Sequence, residues 1–251
     1  MNLFGREKDG NRVIYKIFGI KFTLTKKLKR NLGKIPHYNS YSQIGEDVML
    51  RGFIEEKWND FNYQGFYVDI GAHHPHRLSN TMMYYEHGWR GITIEPMPDV
   101  AGEFRKMRPD DIHLTTGIGP KEETLEYYTF SEPAVNTFSK EFAQKFIDGE
   151  VPNCKFLGVR DIPVMPLSSV LDKNLAQGQH IDFFTIDTEG LDLAILQTNN
   201  WEKYSPDYIL IEIHTEGGIL DIPNGEVAGF LKEKGYQYVA QAMYTSMFKK
   251  I

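Results

Sequence analysis

Four short apolar runs in this chain end in a carboxylate, and that pattern constrains the fold more than any other feature. They are Phe66-Tyr67-Val68-Asp69-Ile70-Gly71, Gly91-Ile92-Thr93-Ile94-Glu95-Pro96, Ile181-Asp182-Phe183-Phe184-Thr185-Ile186-Asp187 and Tyr208-Ile209-Leu210-Ile211-Glu212-Ile213-His214. Runs this short and this apolar read as strands buried on both faces of a parallel sheet. Helical patterns separate them, over 42–58, 79–88, 98–107, 167–175, 190–198 and 226–234. Ser42 can cap the first of these, with Glu46 about one turn on. Residues 112–117 and 124–130 add strands, 236–240 and 243–249 close the chain, and 131–165 shows no clear pattern. Strands alternating with helices predict an α/β, doubly wound, mostly parallel sheet with helices on both faces. Ligands of such sheets bind outside the carboxyl ends of the strands. Asp69, Glu95, Asp187, Glu212 and His214 should therefore share one mouth.

The turn after the first run narrows the ligand. Asp69 and Glu95 stand 26 residues apart, one strand-to-strand unit. A carboxylate at the end of the second strand has two acceptor oxygens for the two hydroxyls of a ribose. Both dinucleotides and S-adenosylmethionine meet that description. A dinucleotide needs a glycine-rich turn for its pyrophosphate, whereas this turn is Gly71-Ala72-His73-His74-Pro75, with Asp69 at its mouth. Two phosphates would be repelled there, while a sulfonium and an ammonium would be attracted. The turn selects the methyl donor. The bland alternative is that Asp69 caps the turn and Glu95 is a surface residue before Pro96. Neither a phosphate-binding P-loop nor a serine-hydrolase elbow is present in the sequence.

Composition excludes several other classes. Hydrophobic residues make up 41% and charged residues 25%, as in a folded globular protein. Cys154 is the only cysteine, which rules out an intrachain disulfide or a multi-cysteine zinc site. No apolar run reaches the roughly 18 residues needed to span a bilayer. With no signal-like apolar core at the N-terminus, a cytoplasmic location is the expectation. The net charge of −6 hides an asymmetry: residues 1–35 carry +8 and the remainder −14. An acidic body disfavours nucleic acid as a partner. The expected organisation is a basic N-terminal extension over 1–35 and a catalytic domain over 36–251. The extension interleaves Val13, Ile14, Ile17, Phe18, Ile20, Phe22, Leu24 and Leu28 with its charges. It could meet an anionic membrane surface or an acidic partner, or simply pack on its own domain.

The chain resembles the FkbM family of S-adenosylmethionine-dependent methyltransferases over roughly residues 40–240. The matching segments are Tyr41-Ser42-Gln43-Ile44-Gly45-Glu46-Asp47, residues 67–75, Ser79-Asn80-Thr81, Gly88-Trp89-Arg90-Gly91-Ile92 running into Ile94-Glu95-Pro96, and Ile186-Asp187-Thr188-Glu189-Gly190. The resemblance implies a Rossmann-like class I methyltransferase fold. It implies a donor pocket made by Asp69, Gly71, Ala72, His73, Asn80, Thr81, Glu95 and Pro96, with Gly117 and Ile118 near the adenine and Gln43 on a lid. It also implies O-methylation of a small-molecule or glycan acceptor, such as a sugar of a surface polysaccharide or a natural product. The basic extension lies outside it.

On the acceptor side, a hydroxyl needs a base to take its proton, and His214 titrates in the right range. The same residue could also be a strand-end histidine satisfied by a backbone carbonyl. Asp187 is expected to orient the imidazole, with Glu189 a further catalytic candidate. Alternatively, Asp187, Glu212 and His214 could hold a Mg2+ ion that acidifies a sugar diol, as in some relatives of the family. His73, His74 and His76 flank Pro75 and do not have the spacing of a zinc site; His73 or His74 should line the pocket. Rival functions are an NAD-dependent nucleotide-sugar oxidoreductase and a non-catalytic protein of methyltransferase fold.

Overall fold

The computed structural model describes residues 4–9, 12–17, 20–25, 39–149, 152–214 and 218–251. The chain divides into two units, Met1–Asn39 and Ser40–Ile251. In the first, strands β1 (Phe4–Asp9), β2 (Arg12–Ile17) and β3 (Ile20–Thr25) form an antiparallel meander with Phe4 opposite Ile17 and Arg12 opposite Thr25. The expected domain start near residue 36 and the lysine-rich stretch before it lie outside the described residues.

In the second unit, seven strands make one sheet: β4 (Phe66–Ile70), β5 (Arg90–Ile94), β6 (Ile112–Leu114), β10 (Phe183–Ile186), β11 (Tyr208–Glu212), β12 (Tyr236–Ala242) and β13 (Thr245–Lys250), in the spatial order β12-β13-β11-β10-β4-β5-β6. Only β13 runs against the rest. The order reverses between β4 and β10, and such a switch point opens a crevice at the carboxyl edge.

Both faces of the central strands are apolar, as the unbroken runs require. Val68, Ile70, Ile92, Ile94, Phe184, Ile186, Ile209 and Ile211 pack on one face beneath α6 (Leu167–Asn174), α7 (Asp192–Gln197) and α8 (Glu226–Glu233). Tyr67, Phe183, Tyr208 and Leu210 pack on the other beneath α1 (Glu46–Phe53), α2 (Glu55–Asn59), α3 (Met82–Glu86) and the fully buried Trp89. Each fully buried aliphatic or aromatic side chain contributes about 1.5–3 kcal/mol. Helix α4 (Ala101–Met107) stacks Phe104 on His113 of β6 at 4.1 Å.

Three local expectations change. The helix expected over 42–58 starts only at Glu46, because Gly45 sits at φ +99°, and it breaks at Ile54. Ser42 does not cap it in the usual way; its Oγ accepts from the Gly45 amide and donates to Asp47. The strand expected over 112–117 is two: β6 belongs to the main sheet, and β7 (Gly117–Ile118) turns away to pair with β9 (Phe156–Met165). Thr116 donates to the Pro163 carbonyl at 2.8 Å and anchors that turn. The unassigned stretch 131–165 contains α5 (Lys140–Ile147), capped by Ser139, and β9, which pairs with β8 (Glu123–Phe130).

One buried polar network ties these layers together. Arg108 and Asp111 are fully buried and 2.7 Å apart. Arg108 also donates to the Tyr67 hydroxyl at 2.9 Å, and Asp111 accepts from the Gly91 amide and the Tyr67 hydroxyl. Arg108→Leu leaves the Asp111 carboxylate buried without its cation. It should destabilise the protein by about 3–5 kcal/mol, as removal of one buried ion partner does. Urea unfolding checks this, and a loss under about 1 kcal/mol would show the pair to be dispensable.

Candidate active site

The site begins where β4 ends. Gly71 adopts φ +81°, and a Cβ there would lie 1.8 Å from the Asp187 carbonyl oxygen, so only glycine fits. Every amide of the turn is already used. Gly71 and Ala72 donate to the Ile94 carbonyl at 3.0 Å, His73 donates to Glu95 Oε2 at 2.8 Å, and His74 donates to the Ala72 carbonyl. No backbone N–H in 71–74 remains for a pyrophosphate.

Glu95 follows β5 and is almost completely buried. Its Oε1 accepts from the Met97 amide at 2.9 Å and its Oε2 from His73. Each oxygen keeps a further lone pair. Burial pushes its pKa up to about 7, against the pull of the two amides. Glu95, Pro96, Gly117 and Ile118 line a pocket together with Gly71, His73, Thr116, Tyr127, Asn136 and Phe138. Its cavity volume is only about 40 Å³, so this end of the cleft is narrow. Sequence reasoning missed Tyr127, Asn136 and Phe138, which come from β8 and the irregular segment after it.

A second, wider cleft continues from the first and shares Gly71, His73, Ala134, Asp187 and Glu189 with it. Gln43, Asp69, Ala72 and Asn80 line it. Asp69 is buried, and its Oδ2 accepts from the Thr81 hydroxyl at 2.5 Å; burial lifts its pKa to about 6. Thr81 itself is fully buried and lines neither cavity. His73 is kept neutral, its pKa pushed down to about 4 by burial and then by Arg77. His74 instead pairs with Glu103, and His76 stands edge-on to Tyr41.

At the far end, β10 and β11 bring their terminal side chains together. His214 Nε2 lies 3.3 Å from Glu212 Oε1, and this contact, then the nearby carboxylates, raises the imidazole pKa. Among the described residues, the polar partner of His214 is thus Glu212, at the end of β11 two residues before it, and not Asp187. Asp187 opens onto the cleft, but protein atoms crowd it from behind and Glu212, Glu189 and Asp192 add like charge. Its pKa is raised well above the carboxylate range. Glu189, at φ +53°, is pushed up to about 8 by burial and then by Glu212. Among the described residues, Glu189, Glu212 and His214 each offer one ligand atom within 4.8 Å of the others; Asp187 stands outside that group. A second group, His180, Asp182 and Asp207, lies at the other end of the strands, where Lys57 Nζ already sits 2.6 Å from both aspartates. Phe142, Lys145 and Tyr244, from α5 and the β12–β13 turn, complete the wall.

Residues 69–238, more than half of the chain, match the model of the methyltransferase FkbM domain. The chain belongs to the FkbM methyltransferase family. It is an S-adenosylmethionine-dependent methyltransferase. No curated protein sequence matches it. Solved structures similar to it include a TehB-like S-adenosylmethionine-dependent methyltransferase from Corynebacterium glutamicum, at 10% identity and a TM-score of 0.40, covering 90% of this chain and 96% of that one. An O-methyltransferase from Bacillus cereus in complex with S-adenosylhomocysteine has 12% identity and a TM-score of 0.42, with 89% and 86% covered. Fibrillarin from Aeropyrum pernix, with bound S-adenosylmethionine, has 10% identity and a TM-score of 0.42, with 98% of each covered.

The residues present in this FkbM methyltransferase fit its donor. Free acceptor capacity at Glu95 suits ribose hydroxyls, the carboxylates suit a sulfonium and an ammonium, and the fully bonded turn offers nothing to a pyrophosphate. The matched segment begins at Asp69, so Gln43 lies before it. Gln43 is exposed at the rim of the cleft, on a segment that Asp47 holds through Ser40, Tyr41 and Ser42.

The crowded carboxyls make stability depend on pH. Asp187, Glu189 and Glu95 keep their protons in the fold at pH values where the unfolded chain has lost them. A raised folded pKa gives stability that is present at low pH and lost as pH rises through that pKa. His73 and His113, both lowered to about 4, act oppositely, but only below their unfolded value of 6.5. The ligand-free enzyme should therefore lose thermal stability between about pH 6.5 and 8.5. Glu189→Gln should flatten that fall. A melting temperature that rises across this interval would contradict the electrostatic description.

Proposed function

We propose that this methyltransferase transfers a methyl group to a hydroxyl oxygen of a small molecule or glycan, with His214 as the base. The observation that carries the reading is the Glu212–His214 pair, placed in the wide cleft that continues from the Glu95 pocket. When bound, the donor supplies an electrophilic methyl group on a sulfonium. The protein must then hold an acceptor oxygen in line and take its proton. His214 is half-exposed in the cleft, with one nitrogen on Glu212 and the other available to an acceptor. Glu212 stabilises the imidazolium formed when the proton arrives. Asp187 and Glu189 are placed to accept hydrogen bonds from neighbouring hydroxyls, which suits a polyhydroxylated acceptor such as a sugar in surface polysaccharide or natural-product assembly.

A second reading places a divalent cation such as Mg2+ on Glu189, Glu212 and His214, and the convergence of their ligand atoms favours it. The ion would acidify the acceptor hydroxyl and relieve the crowding of carboxylates. The basic N-terminal extension is outside both readings; we assign it to contact with an anionic surface or partner.

His214→Ala should lower turnover by about 10²–10⁴-fold, the usual scale for a general base, with donor affinity nearly constant. Because Glu212 raises the His214 pKa, activity should rise with pH through that raised value. Glu212→Gln should move the acid limb of the profile to lower pH. Screening hydroxylated acceptors with isotopically labelled donor supplies the assay. Full activity in His214→Ala would remove the base assignment; loss of activity with EDTA and recovery with Mg2+ would favour the metal instead.

A further inference from the structure

Ser79, Asn80 and Thr81 each make a specific contact beneath the cleft. The Ser79 hydroxyl accepts from the Met82 amide at 3.1 Å and from Arg108 at 3.4 Å. Asn80 Nδ2 donates to the Thr185 hydroxyl at 2.9 Å, tying the segment to β10. Thr81 Oγ1 donates to Asp69 Oδ2 at 2.5 Å, and Thr81 has no exposed surface. The segment is itself anchored, because the Ser79 amide donates to the Tyr41 carbonyl at 2.9 Å and the Tyr84 hydroxyl donates to the Asp47 carbonyl at 2.8 Å.

We propose that Thr81 is a positioning residue that acts through Asp69, locking one oxygen of that carboxylate beneath the cleft so that the other is presented to the donor's cationic end. The inference rests on the reading of Asp69 as a donor-site residue. A carboxylate has free rotation about its last bond unless something holds it, and a hydroxyl held at one distance does so without adding charge. Asp69 Oδ1 takes no hydrogen bond among the described residues, and Asp69 lines the wide cleft. Thr81 does not reach that cleft, so any effect of its hydroxyl on the donor must pass through Asp69. The Thr81 hydroxyl also lies 3.4 Å from Ser79 Oγ, but its short contact is the one to Asp69, and a valine would fill the same volume without either.

The hydroxyl also favours the ionised form of Asp69. Arg108, beyond the end of α4, acts in the same direction, while burial and Asp111, in the turn before β6, oppose it. Glu95 after β5 is a further like charge. Glu46, His73 and Asp187 face the same cleft. Removing the Thr81 hydroxyl should therefore move Asp69 further above its present value of about 6, and ionisation should fail first at mildly acidic pH.

The test is a double-mutant cycle on the full-length chain, read by calorimetric titration with S-adenosylhomocysteine. Thr81→Val should weaken binding roughly tenfold, the scale of a lost hydrogen bond to a charged group. The loss should be larger at about pH 6 than at about pH 8. Thr81→Ser should restore affinity to within about twofold. Asp69→Asn should weaken binding on its own, and adding Thr81→Val to it should cost almost nothing more. Thr81→Ala serves if the valine protein does not fold. Normal binding by Thr81→Val, or equal losses in the presence and absence of the Asp69 carboxylate, would overturn the positioning role while leaving Asp69 in the donor site. Normal binding by Asp69→Asn would remove the underlying assignment of Asp69 as well.

Discussion

The approach of Gly71 to the Asp187 carbonyl is the contact on which the site depends. It lets the chain leaving β4 pass directly over the end of β10, with the Asp187 amide returning a hydrogen bond to the Ile70 carbonyl at 3.0 Å. Any side chain at position 71 would force the two strand ends apart. With the glycine in place, the amides after β4 fold back onto Ile94 and Glu95, and three neighbouring strands deliver their carboxylates to one edge. The geometry is set by backbone packing before any ligand is considered.

That convergence has an electrostatic consequence. Asp69, Glu95, Glu189 and Asp192 all have raised pKa values, with burial the largest cause in each case, and Asp187, open to the cleft but crowded by protein atoms from behind and by Glu212, Glu189 and Asp192, is raised with them. Carboxyls with raised pKa values gathered at one cleft, outnumbering the cations Arg77 and Lys145 that line it, mark a candidate binding site. Arg108, bonded to Asp111 and Tyr67, also favours the ionised form of Asp69, while the half-buried Lys57 is held by Asp182 and Asp207 at the other end of the strands. A donor carrying a sulfonium and an ammonium answers this imbalance. A dinucleotide would worsen it and would find the turn amides occupied.

The parts of this arrangement written in local pattern were legible in the sequence. The apolar runs ending at Asp69, Glu95, Asp187 and Glu212 are strands of one sheet, and the single-glycine turn marks a phosphate-free ligand. What local pattern does not carry is which partner a side chain meets. Thr81 and Glu95 both sit in motif segments, yet one points into the protein and the other into the pocket, and only the packing of α3 against β4 decides that. Glu212, rather than Asp187, reaches His214, because neighbouring positions on one strand end can bend toward each other once the strand has stopped. Tyr127, Asn136 and Phe138 were missed for another reason: Tyr127 sits on a strand, β8, whose partner β9 is about thirty residues away, and the segment carrying Asn136 and Phe138 folds back on β8 through Tyr128 and Thr137.

We propose that the carboxylate after β5, Glu95, holds the ribose of the methyl donor at this acidic sheet edge. The most direct measurement is titration of the wild-type chain and of Glu95→Ala with S-adenosylhomocysteine, with NAD as a control. Wild type should bind, NAD should not, and the variant should lose about ten- to a hundredfold in affinity, the scale of a charge-assisted hydrogen bond. Unchanged affinity in a folded Glu95→Ala protein would contradict it.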